Sequence, residues 1–298
     1  MRILNSSETS ILVYIDTNQC IQNSDGSYTF TLIDPIYIPR GFNILVSLGS
    51  AEIPFSFYTT NTYNNGFTCF NSATGVVSSY TFPSGNYTPA KLRSILEDWM
   101  RTNVDSETRI AYDPYTNKFT FSRLSGAANI TIYWNINSSR KMFGFSANQV
   151  TYTTASPVTS DLVCNLNYTS NIFLQTSLTD RGSIDSLTGT TSNILQKIPI
   201  NTQPRGIVYY TYSQSAHKIL YHTTLINQIT FNIVDDERRN INLNGLSYSL
   251  SILFDFVKAD MLINPDPAPE LGNTPVIELP VDETNTDIQN ETAPLNDD

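Results

Sequence analysis

Between Ile226 and Lys258 the chain alternates apolar and polar positions with a period of two. Ile229, Phe231 and Ile233 alternate with Gln228, Thr230 and Asn232, the pattern of a strand with one covered face. A charged corner follows, Asp235, Asp236, Glu237, Arg238 and Arg239. Beyond it Leu246, Tyr248, Leu250, Ile252, Phe254 and Phe256 point one way; Ser247, Ser249, Ser251, Leu253 and Asp255 point the other. A two-stranded ribbon is marginal in water, so the pattern requires a second sheet over the apolar face.

The rest of the chain supplies that cover. Ile11–Asp16 is a short apolar run that predicts a first strand. Tyr28, Phe30 and Leu32 alternate until Pro35 and Pro39, residues that belong at bends or edges. Residues 43–58 form the next strand, with Ile44, Leu45, Val46 and Leu48 apolar on both sides. Strands of this kind resume at residues 160–178, in NILQKIPIN, GIVYYTYS and HKILYHTT, and in the pair described first. Eight or nine such strands separated by turn signals predict a β-sandwich. TDRGSIDSLTGTTS, between two of them, reads as a mobile loop.

The grammar changes between about residues 60 and 150. Thr88 is a helix N-cap, Pro89 takes the first helical position, and Leu92, Ile95, Leu96, Trp99 and Met100 share one helical face. This is the one helix the pattern predicts with force. A β-hairpin follows across Asp113–Asn117, then the strand NITIYWNI and the closing RKMFGFS. The expected organisation is therefore mainly β. A discontinuous sandwich of residues 1–59 and 151–263 carries an inserted α+β domain at 60–150. An acidic, Pro-rich tail at 264–298 is too polar to fold alone and is expected to be disordered.

Composition narrows the function. Charged residues make up 15% of the 298 positions, and Tyr (17) and Phe (15) are plentiful, which suits half-exposed strands over a polar Asn, Ser and Thr surface. Nine acids and no Lys or Arg fall between Asp266 and Asp298, so the rest of the chain carries about −1 of the net −10. A nearly neutral body has no basic stripe, and no direct nucleic-acid binding is expected. The N-terminus lacks the apolar run of a signal peptide, and no 18-residue apolar run predicts a membrane span. Asn-x-Ser/Thr triplets at Asn86, Asn129 and Asn167 are discounted on the same ground. Cys20, Cys69 and Cys164 are odd in number and far apart, and read as reduced thiols rather than a disulfide or zinc framework.

Candidate chemistry is sparse. His217 and His222, five apart on an extended segment, point to opposite faces and do not share a metal. Asp235, Asp236 and Glu237 hold oxygen ligands, but Arg238 and Arg239 follow directly, and the cluster reads as a solvated charged turn. No Gly-x-Ser-x-Gly elbow is present, and Gly189–Ser192 lacks the Lys of a phosphate loop, so no catalytic residue, metal or cofactor is expected. Trp99 reads as core of the small domain. Of Tyr133 and Trp134, adjacent on one strand, one is expected to face outward and to offer a ring on which a sugar stacks.

The order of segments resembles the penton, or minor capsid, proteins of virophages and polinton-like viruses. The likeness is carried by FTLIDPIYIPRGFNILVSLGSAEIPFSFY, FPSGNYTPAKLRSIL, KMFGFS, NILQKIPIN with PRGIVYY, and DDERRNINLNGLSYSLSILFDF, which together span most of residues 27–258. The resemblance implies a single jelly roll with an inserted domain, five copies of which plug each fivefold vertex beside double-jelly-roll major capsid proteins. It implies a structural, non-enzymatic role in the virion, with assembly in the host cytoplasm or a viral factory. The other reading is an attachment module whose inserted domain binds a host surface glycan or receptor. Beyond Lys258 the resemblance ends. There Val276, Ile277, Leu279 and Val281 form a short apolar run that reads as a contact segment for a neighbouring sheet edge.

Overall fold

The computed structural model describes residues 10–134, 139–167, 169–179, 183–211 and 217–259. In chain order the elements are β1 (Ser10–Asp16), β2 (Ile21–Gln22), β3 (Tyr28–Tyr37), β4 (Phe42–Pro54), β5 (Gly66–Asn71), β6 (Val76–Thr81) and α1 (Pro89–Asn103). Then come β7 (Thr108–Asp113), β8 (Lys118–Arg123), β9 (Ile130–Tyr133), α2 (Arg140–Phe143), β10 (Gln149–Tyr152) and β11 (Val158–Thr159). The last group is β12 (Asn171–Thr176), β13 (Ser183–Asp185), β14 (Thr190–Ser192), β15 (Ile194–Pro199), β16 (Ile207–Thr211), β17 (Ile219–Tyr221), β18 (Leu225–Val234) and β19 (Ser249–Lys258).

The fold is mainly β and antiparallel. One sheet runs β1-β19-β4-β16, with β17 pairing on β4 as well; a second runs β15-β12-β18-β3-β2. The two sheets share one cluster of buried side chains, as a sandwich requires. Leu250, Ile252, Phe254 and Phe256 of β19 enter it from one side, and Ile229, Phe231 and Ile233 of β18 from the other. Each such side chain contributes roughly 1.5–3 kcal/mol when fully buried. Two irregularities shape the layers. Opposite Ser251 and Ile252, β4 carries an extra residue, Gly49; a Cβ there would come within 2.7 Å of the Ser251 hydroxyl oxygen. In β3 the register jumps between Thr31 and Ile36, so the stretch holding Pro35 bulges and leaves Ile33 exposed.

The long final strand begins later than its alternation predicts. Residues ahead of Ser249 form a loop, and Leu246, expected inside, is 53% exposed. Tyr248, just before the strand, keeps its inward place and is buried.

Between β4 and β12 a second buried cluster forms. It is covered by a four-stranded sheet, β10-β9-β5-β6, a three-stranded sheet, β11-β8-β7, and α1. The Thr88 hydroxyl caps α1 by accepting from the Lys91 amide, and Leu92, Leu96 and Met100 are its buried stripe. The closing RKMFGFS is not extended: Arg140–Phe143 is a second, short helix ended by Gly144 at φ 76°. Tyr152 is buried in this cluster, β11 pairs with β8, and Cys164 and Leu166 pack against it. The chain thus returns to the sandwich nearer Asn171 than the residue 151 expected. The TDRGSIDSLTGTTS stretch, expected to be a mobile loop, holds the β13–β14 hairpin, and Asp185 within it is buried.

Candidate functional site

A densely connected polar feature is the corner after β18. The sequence reads Asp235–Arg239 as a solvated turn; the structure corrects this. Asp235 is buried, and its Oδ1 accepts from the backbone amides of Glu237 (2.8 Å) and Arg239 (2.9 Å). Arg239 returns its guanidinium to Asp235 Oδ2 through Nε at 2.8 Å and lays it over the Tyr63 ring at 4.6 Å. Asp236 accepts from the Ser170 amide at 2.7 Å and the Asn171 side-chain amide at 2.8 Å, gripping the start of β12. Arg238 stands at φ 63°, a left-handed conformation that costs a residue with a Cβ. Its guanidinium spans the Asp185 carboxylate and sits 3.8 Å from the Phe173 ring centroid. Glu237 meets Lys141 of α2 at 3.5 Å, a pair too exposed to weigh much.

The corner therefore ties three segments together: β12, the β13–β14 hairpin and the linker at Tyr63. The Arg238 side chain beside Asp185 holds that carboxyl below the usual carboxylate range, and burial works against this shift without cancelling it. What the arrangement does is mechanical. It reaches the approach to the β5–β11 segment through the Arg239 guanidinium over Tyr63, just ahead of β5.

Uncharged bonds finish the junction. Asn86 Oδ1 accepts from the Thr59 amide at 2.8 Å, and Thr60 and Gly85 exchange backbone bonds of 3.0 and 2.9 Å. Phe55 and Phe57 stack at 4.3 Å. The Ser56 hydroxyl donates to Leu243 O at 2.6 Å, and Asn244 donates back to Ser56 O at 2.6 Å, anchoring the loop before β19 to the same root.

The other candidate residues lie apart from this corner. Trp134 does not face outward: it is 5% exposed and stacked on Phe143 (5.8 Å) and Phe145 (5.6 Å), because it shares the covered face of β9 with Ile130 and Ile132. A ring so enclosed presents no face to a sugar. Tyr133 is half-buried at the end of β9. Trp99 is partly buried, edge-on to Phe67. His217 and His222 are exposed at opposite ends of β17, and among the described residues no group of three or more His, Cys, Asp or Glu is placed to hold a metal ion. Val276, Ile277, Leu279 and Val281 lie outside the described residues. No helix among the described residues is long and apolar enough to cross a membrane.

The architecture defines a mainly β sandwich protein. No family model matches the chain, and no curated protein does. Among solved structures, the crystal structure of the selenomethionine-labelled penton protein of mavirus matches with a TM-score of 0.47 at 13% identity, covering 84% of this chain and 99% of that one. The likeness is distant and concerns the outline of the fold.

Proposed function

We propose that the chain is a structural capsid protein, the penton of an icosahedral shell, acting by assembly and not by catalysis. The observation that carries the reading is the order of strands. Taken in sequence, β1, β3, β4, β12, β15, the β16–β17 pair, β18 and β19 switch sheet at every step except between β12 and β15, which pair within one sheet, and the first and last strands lie side by side. That order supports an eight-stranded jelly roll. The β5–β11 segment then occupies the connection between the third and fourth strands of the roll. It leaves and returns at one end, so a rigid domain can crown the roll without disturbing either sheet.

The role proposed for this shape is a wedge that fits beside copies of itself and beside major capsid proteins at a vertex. A ring closes when one heterologous interface repeats. Flanks of Thr, Ser, Asn and Tyr with few charges suit such contacts. The apolar tail segment from Val276 to Val281 is proposed to tether a neighbouring subunit.

Negative-stain imaging and sedimentation of the purified full chain, alone and with its major capsid protein, test the reading. Five-membered rings are expected. Monomers under both conditions, or trimers, overturn it. Removal of residues 264–298 with unchanged vertex occupancy removes the tether.

A further inference from the structure

β1 is an edge of its sheet: among the described residues it pairs with β19 and with no strand on its other side. Sheet edges are ordinarily guarded by charge, proline or shortness, because their unpaired backbone groups recruit another strand. β1 is seven residues long, and SILVYI, all of it but Asp16, holds no charge, no proline and no glycine. Other edges are guarded or shorter. β2 spans two residues, β15 carries Lys197 and Pro199, and β7 carries Arg109 and Asp113. β6 and β16 are uncharged but shorter than β1.

The phase of β1 is fixed at its end. The Thr17 amide donates to Tyr248 O at 3.1 Å, and the β1–β19 register runs unbroken up to Asp16. Bonding to one neighbour repeats every two residues, so Ile15, Val13 and Ile11 face β19, while Leu12 and Tyr14 turn their N–H and C=O groups to the open edge. The Leu12 and Tyr14 side chains point away from the core and are 41% and 76% exposed. Ile11 and Ile15, on the inner face, are buried. A strand laid on this edge therefore sets its own bonding residues opposite Leu12 and Tyr14, and covers them best if those residues are apolar.

The chain carries a matching segment, VIELPV at 276–281. Proline in a sheet belongs on an edge with its missing N–H turned outward, so Pro280, and with it Glu278 and Val276, would face away from a partner strand. Ile277, Leu279 and Val281 are then the bonding set, and they fall on the face of Leu12 and Tyr14. Charge sets the direction. Asp282 and Glu283 follow the segment. Parallel to β1 they would meet the exposed Asp16; antiparallel, they pass Ser10 on the side where the exposed Lys258 ends β19. Ala259, after β19, donates to Gly41 O at 2.8 Å beyond the Ser10 end of β1, so a direct return of the same chain would run parallel to β1. Residues 260–275 span about 50 Å when extended, enough to cross to another copy. We propose that residues 276–281 of one copy add as an antiparallel strand to the free edge of β1 in a neighbouring copy, with Ile277 opposite Tyr14 and Leu279 opposite Leu12. The inference rests on the capsid reading for its partner and gives the proposed tether its docking site.

The test uses the full chain. Tyr14→Cys and Ile277→Cys chains are mixed and oxidised with copper phenanthroline, and the joined peptides are identified by mass spectrometry. A disulfide between the two chains is expected, since bonded residues opposite one another in an antiparallel pair stand about 5.5 Å apart, within disulfide reach. Hydrogen exchange reads the same contact without added cysteines. Leu279→Pro removes an N–H turned to β1 and should speed exchange in β1 about tenfold. Glu278→Pro, at a position whose N–H faces away, should leave it unchanged. The proposal is overturned if positions 14 and 277 do not cross-link, or if Val281→Cys captures Tyr14→Cys in place of Ile277→Cys. It is equally overturned if the two proline variants act alike, or if β6 or β16 is the strand that Leu279→Pro unprotects. Ring formation is scored on the same samples. Rings without the cross-link sink this inference alone; the cross-link in particles that are not five-membered sinks the capsid reading alone.

Discussion

Arg238 closes a two-point pair on Asp185, 53 residues away in sequence, with Nε to Oδ2 at 2.6 Å and Nη2 to Oδ1 at 2.7 Å. The two side chains are 16% and 4% exposed, so water does little to replace either partner. Arg238→Ala strands the carboxylate and is expected to destabilise the fold by about 3 kcal/mol at neutral pH. The pH dependence follows from the sign of the shift. Asp185 is held below its unfolded value of about 3.9, so the pair's contribution is complete above that pH and is lost as pH falls through the lower folded value. Urea unfolding of parent and variant should show the full gap at neutral pH, narrowing in acid.

The same corner shows what the sequence can and cannot say. Ile229, Phe231 and Ile233 were legible because burial of a strand face repeats every two residues. The start of α1 was legible because Thr88 and Pro89 act on the backbone next to them. Asp235–Arg239 were misread because their partners, Asp185, Asn171, Phe173 and Tyr63, are distant in sequence, and no local pattern announces an ion pair closed over such a span. Leu246 failed differently. The alternation read from Leu246 onward starts ahead of the strand, because the loop before it is tied to Ser56 through Leu243 and Asn244. For Trp134 the parity of β9 holds, since it shares the covered face with Ile130 and Ile132; which of the two faces is covered depends on the sheet and helix packed against it, and no local pattern announces that.

Gly144 and Gly75 both hold positive φ, 76° and 69°, but only one is enclosed. A Cβ on Gly144 would strike the carbonyl oxygen of Leu162 and lie 2.8 Å from that of Val163, whereas one on Gly75 meets nothing within 4 Å. Gly75→Ala pays for backbone strain alone, about 1 kcal/mol. Gly144→Ala adds a backbone collision and should cost about 3 kcal/mol or more, displacing the 162–163 segment. Thermal melts of the two variants in parallel check the contrast; equal losses would show that the close approach at Gly144 is not made.

Both tryptophans, Trp99 and Trp134, belong to the second cluster. Tryptophan fluorescence therefore reports on the β5–β11 segment, while far-ultraviolet circular dichroism reports on all the sheets. Leu96 is 1% exposed on α1, and Leu96→Ala should cost about 2–5 kcal/mol through lost burial and the cavity left behind. The fluorescence transition is expected at lower denaturant in the variant. If the fluorescence of the variant unfolds with the parent's midpoint, α1 is not packed on that cluster.

Cysteine reactivity distinguishes the interior of that cluster from its margins. Cys69 lies in β5 between paired strands, opposite Ser78 on one side and Ile132 on the other, and has no exposed surface. Burial pushes its thiol far up, so the reactive thiolate is scarce as well as inaccessible. Cys20 and Cys164 are half-buried; burial raises both, with Asp16 adding to the rise at Cys20 and Tyr112 opposing it at Cys164. Iodoacetamide at mildly alkaline pH should label Cys20 and Cys164 slowly in the native protein and Cys69 only when its strand opens. Because the Cys69 side chain stands out of the sheet into the second cluster, the labelling rate at Cys69 measures the opening of that cluster. Mass spectrometry of the labelled protein should show Cys69 lagging by orders of magnitude in buffer and catching up across the same denaturant range in which tryptophan fluorescence changes. Labelling of Cys69 at the rate of Cys20 would mean that the second cluster is not closed over β5.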